Sequence, residues 1–151
     1  MKFLKVLMTR DGKPINFEKT FSLVEKICKR SRIELLYIFG SYASNTASRL
    51  SDLDLAYLSK DKFNLDRILR LIRQFQEVFR EEAIDIVDLK EVSLPLIHRI
   101  IKGGKCLYAK DLRTRIEFEI TKEALYFDTL PLRRQYFKTL IKRIKDGSFG
   151  C

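Results

Sequence analysis

Gly40 and Ser41 are followed, after ten intervening residues, by Asp52 and Asp54. The apolar run at 33–39, rich in β-branched and aromatic residues, predicts a buried strand that ends at Gly40. Glycine has no side chain and adopts backbone angles closed to other residues, so the amide and hydroxyl of Ser41 can approach a phosphate closely. The Gly40-Ser41 pair therefore predicts a turn that binds a nucleoside triphosphate.

Asp52 and Asp54 alternate with Leu53 and Leu55 in a second predicted strand at 52–59. The two-residue period of a strand places both acids on one face. Adjacent carboxylates repel each other, and a cation between them relieves the repulsion. Mg²⁺ fits, because it prefers hard oxygen ligands and is usually held by one or two carboxylates together with phosphate oxygens.

A third acid, Asp85, lies in a further predicted strand at 83–89. If this strand lies beside that of Asp54, Asp85 completes a two-metal site in which one ion activates the attacking oxygen and the other steadies the leaving group. Asp88 faces away from Asp85 in a regular strand and is the weaker candidate. Alone, Gly-Ser is usually only a turn and Asp-x-Asp is usually solvated, but their combination favours the metal site.

The segment from Gly40 to Leu55 resembles the motif of the DNA polymerase β-like nucleotidyltransferases. More narrowly, it is similar to the minimal nucleotidyltransferase (MNT) antitoxins that are encoded beside HEPN-domain toxins. The resemblance extends to 84–89, to 104–108 and to the C-terminal helical region, and it covers the chain from about residue 17. Asn45 stands where many relatives carry glycine, and asparagine tolerates left-handed angles well enough to keep the turn.

The resemblance implies a polymerase β-like α/β (α+β) fold, a small mixed sheet with flanking helices. It implies an Mg²⁺-dependent protein adenylyltransferase that transfers AMP from ATP to a tyrosine of a HEPN ribonuclease toxin and so neutralises it. The expected cofactor is Mg²⁺, bound as two ions, and ATP is the expected substrate. The expected partner is the toxin, and neither a membrane nor DNA is expected as a partner. The catalytic and metal-binding residues are expected to be Asp52, Asp54 and Asp85, and the nucleotide-binding residues Gly40, Ser41 and Ser51.

Two alternatives stay open. One is a non-catalytic antitoxin that binds its toxin stoichiometrically, which the presence of all three acids disfavours. The other is a free-standing nucleotidyltransferase acting on a small molecule such as an antibiotic or on RNA ends. The short sequence after Asp85 disfavours this second alternative, because it leaves little material for an acceptor pocket.

The chain has 151 residues, of which 46% are hydrophobic, and this predicts one folded domain. We expect a core at about 16–109 and a C-terminal helical extension at about 110–147. No apolar run reaches the roughly 18 residues that span a membrane, and the charged N-terminus does not resemble a signal peptide, so a cytoplasmic location is expected. The net charge of +10 is spread along the chain and favours an anionic partner.

The cysteines and the single histidine are not expected to be catalytic. Cys28 and Cys106 are predicted to be buried reduced thiols, and Cys151 a loose terminal thiol. His98 has no paired nucleophile motif, so a structural or surface role is expected for it.

The predicted element order is α-β-β-α-β-α-β-α-α, with a short helix after Gly40 and a last strand at 104–108. Asn16 and Asn64 are expected to cap two of the helices. Ser93 and Pro95 are expected to open another helix, which Gly103-Gly104 ends. The predicted apolar faces of the first two long helices contain Phe17, Phe21, Val24 and Cys28, and Leu65, Ile68, Leu69, Ile72, Phe75 and Phe79.

The C-terminal region is predicted to form two helices, at about 110–127 and 132–146, because Pro131 interrupts the pattern. The second helix has an apolar stripe edged by positive charge. Packing of this stripe on the chain's own sheet and docking of the toxin are equally expected. The stripe contains Leu132, Tyr136, Leu140 and Ile144.

Overall fold

The computed structural model describes residues 17–44, 52–80 and 82–147. Four residues with a predicted role lie outside these ranges. They are the helix cap Asn16, the turn residue Asn45, the nucleotide-binding residue Ser51 and the terminal thiol Cys151. The elements in chain order are α1 (Phe17–Arg30), β1 (Ile33–Phe39), α2 (Gly40–Ala43), β2 (Leu53–Ser59), α3 (Leu65–Phe79), β3 (Ile84–Asp88), α4 (Leu94–Gly103), β4 (Lys105–Ala109) and α5 (Leu112–Lys145).

The four strands form one mixed sheet in the order β3-β2-β1-β4. β1 is antiparallel to both of its neighbours, β2 and β4, whereas β2 and β3 are parallel. A parallel pair needs a crossover connection, and α3 supplies it between β2 and β3. The predicted small mixed sheet with flanking helices is confirmed.

The two faces of the sheet carry separate apolar clusters. Leu36 and Ile38 of β1 lie in a cluster with side chains of α1 and α3, and Leu35 and Tyr37 lie in a second cluster with side chains of α4 and α5. The alternation of a strand explains why neighbours in β1 point to opposite layers. Helices therefore cover both faces of the sheet.

The predicted inward face of α3 is partly wrong. Asn64 caps the helix as expected, because its side chain accepts a hydrogen bond from the Arg67 amide at 3.1 Å. Leu65 and Leu69, however, are 61% and 47% exposed. The buried arc is centred on Phe75, and both leucines lie at the edge of that arc. Leu71, which we did not include, is buried.

In α1, Val24 and Cys28 are buried as predicted, whereas Phe21 is 37% exposed. Burial raises the pKa of the Cys28 thiol far above its usual range, and burial also raises that of Cys106 to about 11. Both cysteines are free and protonated at neutral pH. The prediction of reduced thiols is confirmed for these two residues, although Cys106 is only partly buried.

The prediction of two C-terminal helices is wrong. A single helix, α5, runs from Leu112 to Lys145 and includes Pro131 in its interior. Proline lacks a backbone N–H, so one carbonyl in the preceding turn loses its usual donor. Two side chains donate to the carbonyl of Tyr126 in the same turn. The Thr129 hydroxyl lies 3.2 Å from this carbonyl oxygen, and Arg133 Nη2 lies 2.6 Å from it. In the described part of the chain, no helix is both long and apolar enough to cross a membrane.

Candidate active site

Gly40 follows β1 directly and has a φ angle of +69°, in the left-handed region that favours glycine. A Cβ atom built on Gly40 would lie 2.3 Å from Asp54 Oδ2, much closer than two such atoms can approach. The absence of a side chain at Gly40 therefore allows the Asp54 carboxylate to lie against the backbone of the turn. Sequence reasoning identified both residues but not this contact.

Ser41 lies next to Gly40 in the short helix α2, as predicted, and is partly buried. The same turn is closed by Ser44, whose amide donates to the Gly40 carbonyl at 3.3 Å. The Ser44 hydroxyl lies 3.2 Å from the Ser41 carbonyl. Tyr42 and Ala43 are buried and anchor α2 to the core.

Sheet pairing brings Asp54 and Asp85 together. Asp54 lies opposite Phe39 in the antiparallel pair with β1, and opposite Asp85 in the parallel pair with β3. Asp54 is partly buried, and Asp85 is exposed. The adjacency of the two acidic strands, on which the two-metal hypothesis depends, is therefore present in the structure. Asp52 is exposed and immediately precedes β2, so it lies at the same end of the sheet.

The three carboxylates influence one another electrostatically. Burial raises the pKa of Asp54, and the negative charges of Asp85 and Asp52 raise it further. The donors are all carboxylate oxygens, which are ligands that Mg²⁺ prefers. Within the described residues, however, no three or more Asp, Glu, His or Cys side chains are gathered into a group that could hold a metal ion. The acids fit Mg²⁺ by chemistry, but their side chains must converge to bind it.

Asp88 lies at the opposite end of β3 from this site and pairs in register with Tyr57. Its side chain is buried and accepts a hydrogen bond from the Lys90 amide at 2.9 Å. Burial, with a contribution from Asp88, raises the pKa of Tyr57 to about 12. These contacts give Asp88 a structural role.

His98 also has structural contacts. Its Nδ1 lies 2.6 Å from Glu123 Oε1, and its ring stacks on Tyr126 with 3.8 Å between ring centroids and 5° between planes. The histidine therefore connects α4 to α5.

Sequence reasoning treated Gly104 only as a helix stop, but Gly104 also allows a close approach. A Cβ atom there would lie 2.4 Å from the Ile100 carbonyl oxygen and 2.9 Å from that of Ile38. Ile38 is two residues before Gly40, so Gly104 lets the end of α4 pack closely against the strand that leads into the site. The adjacent glycines Gly103 and Gly104 were the sequence feature from which this close approach could have been inferred.

Comparisons with known proteins agree with this geometry. The family model described as "Polymerase beta, Nucleotidyltransferase" matches residues 22–113, which include the candidate site. A curated relative, "Protein adenylyltransferase MntA" from Shewanella oneidensis, is 36% identical over 78 residues, which are 51% of this chain and 55% of the relative. The chain thus matches only about half of the length of that relative.

Solved structures show the same fold. A chain from a crystal structure of a toxin-antitoxin with AMP-PNP has a TM-score of 0.69 and 23% identity, covering 80% of this chain and 98% of that chain. A chain from the complex of tri-AMPylated Shewanella oneidensis HEPN toxin with MNT antitoxin has a TM-score of 0.65 and 20% identity, covering 83% and 98%. The family match spans more than half of the sequence and contains the Gly40 turn and all three acids. The chain therefore belongs to the polymerase beta nucleotidyltransferase family.

Proposed function

We propose that this chain is an antitoxin that transfers AMP from ATP to a tyrosine of a HEPN-domain toxin and thereby neutralises the toxin. The observation that carries the proposal is the Gly40 turn packed against Asp54, with Asp85 in register on the neighbouring strand. The similarity to the adenylyltransferase MntA supports the choice of AMP and of a protein acceptor.

In this proposal, the Gly40-Ser41 turn binds the triphosphate of ATP, assisted by Ser51. Asp52, Asp54 and Asp85 would hold two Mg²⁺ ions, which would neutralise phosphate charge. Asp85 is exposed, whereas Asp54 is partly buried, and we assign Asp85 to the acceptor side. Asp54, packed against the turn, is assigned to the nucleotide side.

The proposed reaction is an in-line displacement at the α-phosphorus of ATP. The tyrosine oxygen forms a bond to the α-phosphorus, and the bond from that phosphorus to the oxygen bridging to the β-phosphorus breaks. Pyrophosphate leaves with the electron pair of the broken bond. Asp85 accepts the hydroxyl proton as a general base.

The assignment predicts different defects for Asp85 and Asp54. Asp85→Asn removes the base but leaves the nucleotide side of the site, so AMP transfer should fall by at least about 100-fold while ATP binding persists. Asp54→Ala should reduce both transfer and binding. Transfer is measured with α-labelled ATP and purified toxin, and binding by calorimetry with a non-hydrolysable ATP analogue and Mg²⁺.

Asp66→Asn is the matched control, because Asp66 is an exposed acid in the first turn of α3, away from the site. It should leave both measurements near the wild-type values. Near wild-type transfer by Asp85→Asn and Asp54→Ala would overturn the site assignment. Neutralisation of the toxin by the wild-type chain without incorporation of label would instead establish stoichiometric inhibition.

A further inference from the structure

Helix α5 is attached to the domain along its first half. Phe118 packs against the cluster that contains Tyr37, and the Tyr37 hydroxyl donates to Glu119 Oε1 at 2.8 Å. Farther along the helix, Glu123 contacts His98, and the His98 ring stacks on Tyr126. These contacts hold the part of α5 that precedes Pro131.

The distal segment of α5, defined here as residues 132–145, exposes several large apolar side chains. Each of five large side chains in this segment is more than half exposed, and Leu140 is partly exposed. Scattered apolar residues are normal on a protein surface, but a contiguous set marks an interaction site. The five residues are Leu132 (70%), Tyr136 (64%), Phe137 (55%), Ile141 (51%) and Ile144 (58%).

Most of the basic residues of the distal segment lie on the side of the helix away from its apolar residues. At 3.6 residues per turn, the apolar side chains fall within about half of the helix circumference. Arg134, Lys138, Lys142 and Lys145 fall on the other half, and the segment contains no acidic residue. Arg133 and Arg143 fall within the apolar half and bring the number of basic residues between 132 and 145 to six. The surface is thus an apolar stripe beside a strongly positive face.

The direction of the distal segment is fixed at its base. The Arg133 guanidinium lies over the Tyr126 ring, 4.2 Å from the centroid, and the same ring stacks on His98 of α4. Arg133 also donates to the Tyr126 carbonyl across the Pro131 position. This stack holds the segment in a preformed orientation, which reduces the entropy lost when a partner binds.

We propose that the distal segment is the surface on which the HEPN-domain toxin docks, through an apolar helix face edged with acidic residues. This inference rests on the proposed function, which requires a protein acceptor. Charge selects this occupant over a second copy of the chain, because two copies would place side by side two segments that each carry six basic residues and no acidic residue. An acidic partner would instead pair with the basic face and be steered to it over longer distances.

The apolar stripe supplies affinity in this arrangement, and the basic face supplies orientation and association rate. Two facing helices that interdigitate side chains would bury Tyr136 and Ile144 near the centre of the contact. Removal of those two side chains should therefore weaken docking without affecting the distant Gly40 turn.

The double variant Tyr136→Ser/Ile144→Ser tests the apolar stripe. We expect it to bind purified toxin at least about tenfold more weakly than the wild type, because loss of an aromatic side chain at the centre of an interface typically has an effect of this size. The KM for toxin in AMP transfer should rise while kcat is retained, and binding of the ATP analogue should be unchanged. The matched control is Leu65→Ser/Leu69→Ser, which replaces two similarly exposed apolar residues of α3 and should bind toxin normally.

The variant Arg134→Glu/Lys138→Glu tests the basic face. Its toxin binding should be weaker at low salt, and the difference should shrink at high salt, where these exposed charges are screened. Circular dichroism checks that both variants remain folded. Equal toxin binding by wild type and Tyr136→Ser/Ile144→Ser would overturn the docking surface alone, whereas failure of the wild type to bind or modify toxin would overturn the proposed function.

Two further outcomes would overturn the choice of occupant. If the wild-type chain forms a dimer on gel filtration and Tyr136→Ser/Ile144→Ser makes it monomeric, the segment binds a second copy. If the wild type sediments with anionic phosphatidylserine vesicles and the same variant does not, the segment binds a lipid surface.

Discussion

Gly40 is the residue at which backbone conformation and site geometry depend most directly on each other. In Gly40→Ala, the positive φ angle costs about 1–2 kcal/mol, and the new methyl group collides with Asp54 Oδ2. We expect a lower melting temperature and a loss of AMP transfer larger than the loss of stability explains. Thermal unfolding and single-turnover transfer, both measured below the melting temperature, check this.

Gly103→Ala is the matched control for this substitution. A Cβ atom at Gly103 meets nothing within 4 Å, and Gly103 ends α4 without a positive φ angle. Alanine there should be neutral or slightly stabilising, because it restricts the unfolded chain. If Gly40→Ala is as well tolerated as Gly103→Ala, the close approach of Asp54 to the turn is not required.

The raised pKa of Asp54 predicts a pH-dependent stability. An acid whose pKa is higher in the folded state binds more protons when folded, so stability falls as pH rises from its ordinary value of 3.8 through the raised folded value. Asp54→Asn stays neutral at every pH. With divalent ions removed by a chelator, this variant should be more stable than wild type at neutral pH, and its advantage should disappear below about pH 3.8.

Melting temperatures of wild type and Asp54→Asn across this pH range provide the measurement. Asp66→Asn should behave oppositely at neutral pH, because it removes a negative charge from the N-terminal turn of α3, where such a charge is favourable. An Asp54→Asn variant that is less stable than wild type at neutral pH would show that the carboxylate is stabilised in the folded chain.

At the residue scale, the apolar runs around Asp54 and Asp85 predicted a strand for each acid, but the adjacency of the two strands was only a condition of the two-metal hypothesis. The structure meets this condition and places the two acids in register. The contact of Asp54 with Gly40 was not predictable, because it depends on the side-chain direction of one residue and the φ angle of the other. The metal-binding and nucleotide-binding roles of the site residues stay predictions.

Helices in this fold begin either with or without a hydrogen bond from a side-chain cap. Asn64 accepts a hydrogen bond from the Arg67 amide at the start of α3, whereas Ser93 makes no side-chain bond at the start of α4. Asn64→Ala should therefore reduce the free energy of unfolding by about 1 kcal/mol. Ser93→Ala should cost clearly less, since no cap bond is lost.

Chemical denaturation of the two variants measures this difference. Asp111, at the start of α5, is a second capped helix start for comparison with Asn64. Its carboxylate accepts a hydrogen bond from the Thr114 amide at 2.7 Å, and hydrogen bonds from Thr114 lower the pKa of Asp111. Equal losses for Asn64→Ala and Ser93→Ala would mean that the Asn64 bond contributes nothing beyond an exposed polar group.

At the scale of elements, the strands and the helix starts were predictable because apolar period and cap residues are local signals. The continuity of α5 was not. Local rules place a helix end near Pro131, but Thr129 and Arg133 supply donors to nearby carbonyls, and Tyr126 is held by His98 from another helix. The His98 contact depends on tertiary packing, which the local pattern does not contain.

At the scale of the whole molecule, charge is more unevenly distributed than the sequence indicated. A groove of about 510 Å³ lies at the end of β1 opposite Gly40, and it is lined by Lys29, Arg32, Lys60 and Lys110 together with Glu34 and Asp61. The other end of the sheet carries the three site acids. The four basic residues of the groove and the three site acids therefore lie at opposite ends of one sheet. The division into a core and a C-terminal extension within one domain stays a prediction.

The stack at the base of the distal segment also has a mechanical consequence. From Pro131 to Lys145 the helix extends about 21 Å at 1.5 Å per residue, and it is pinned at one end by Arg133, Tyr126 and His98. The contact with His98 of α4 is the point about which this end of the helix can tilt. A tilt of about 10° at the pivot displaces the tip by roughly 4 Å for a helix of this length. A displacement of that size exceeds the separation of two reacting atoms. If the toxin docks on the distal segment as proposed, the stiffness of the contacts among these three side chains would therefore limit how accurately its tyrosine is positioned at the active site.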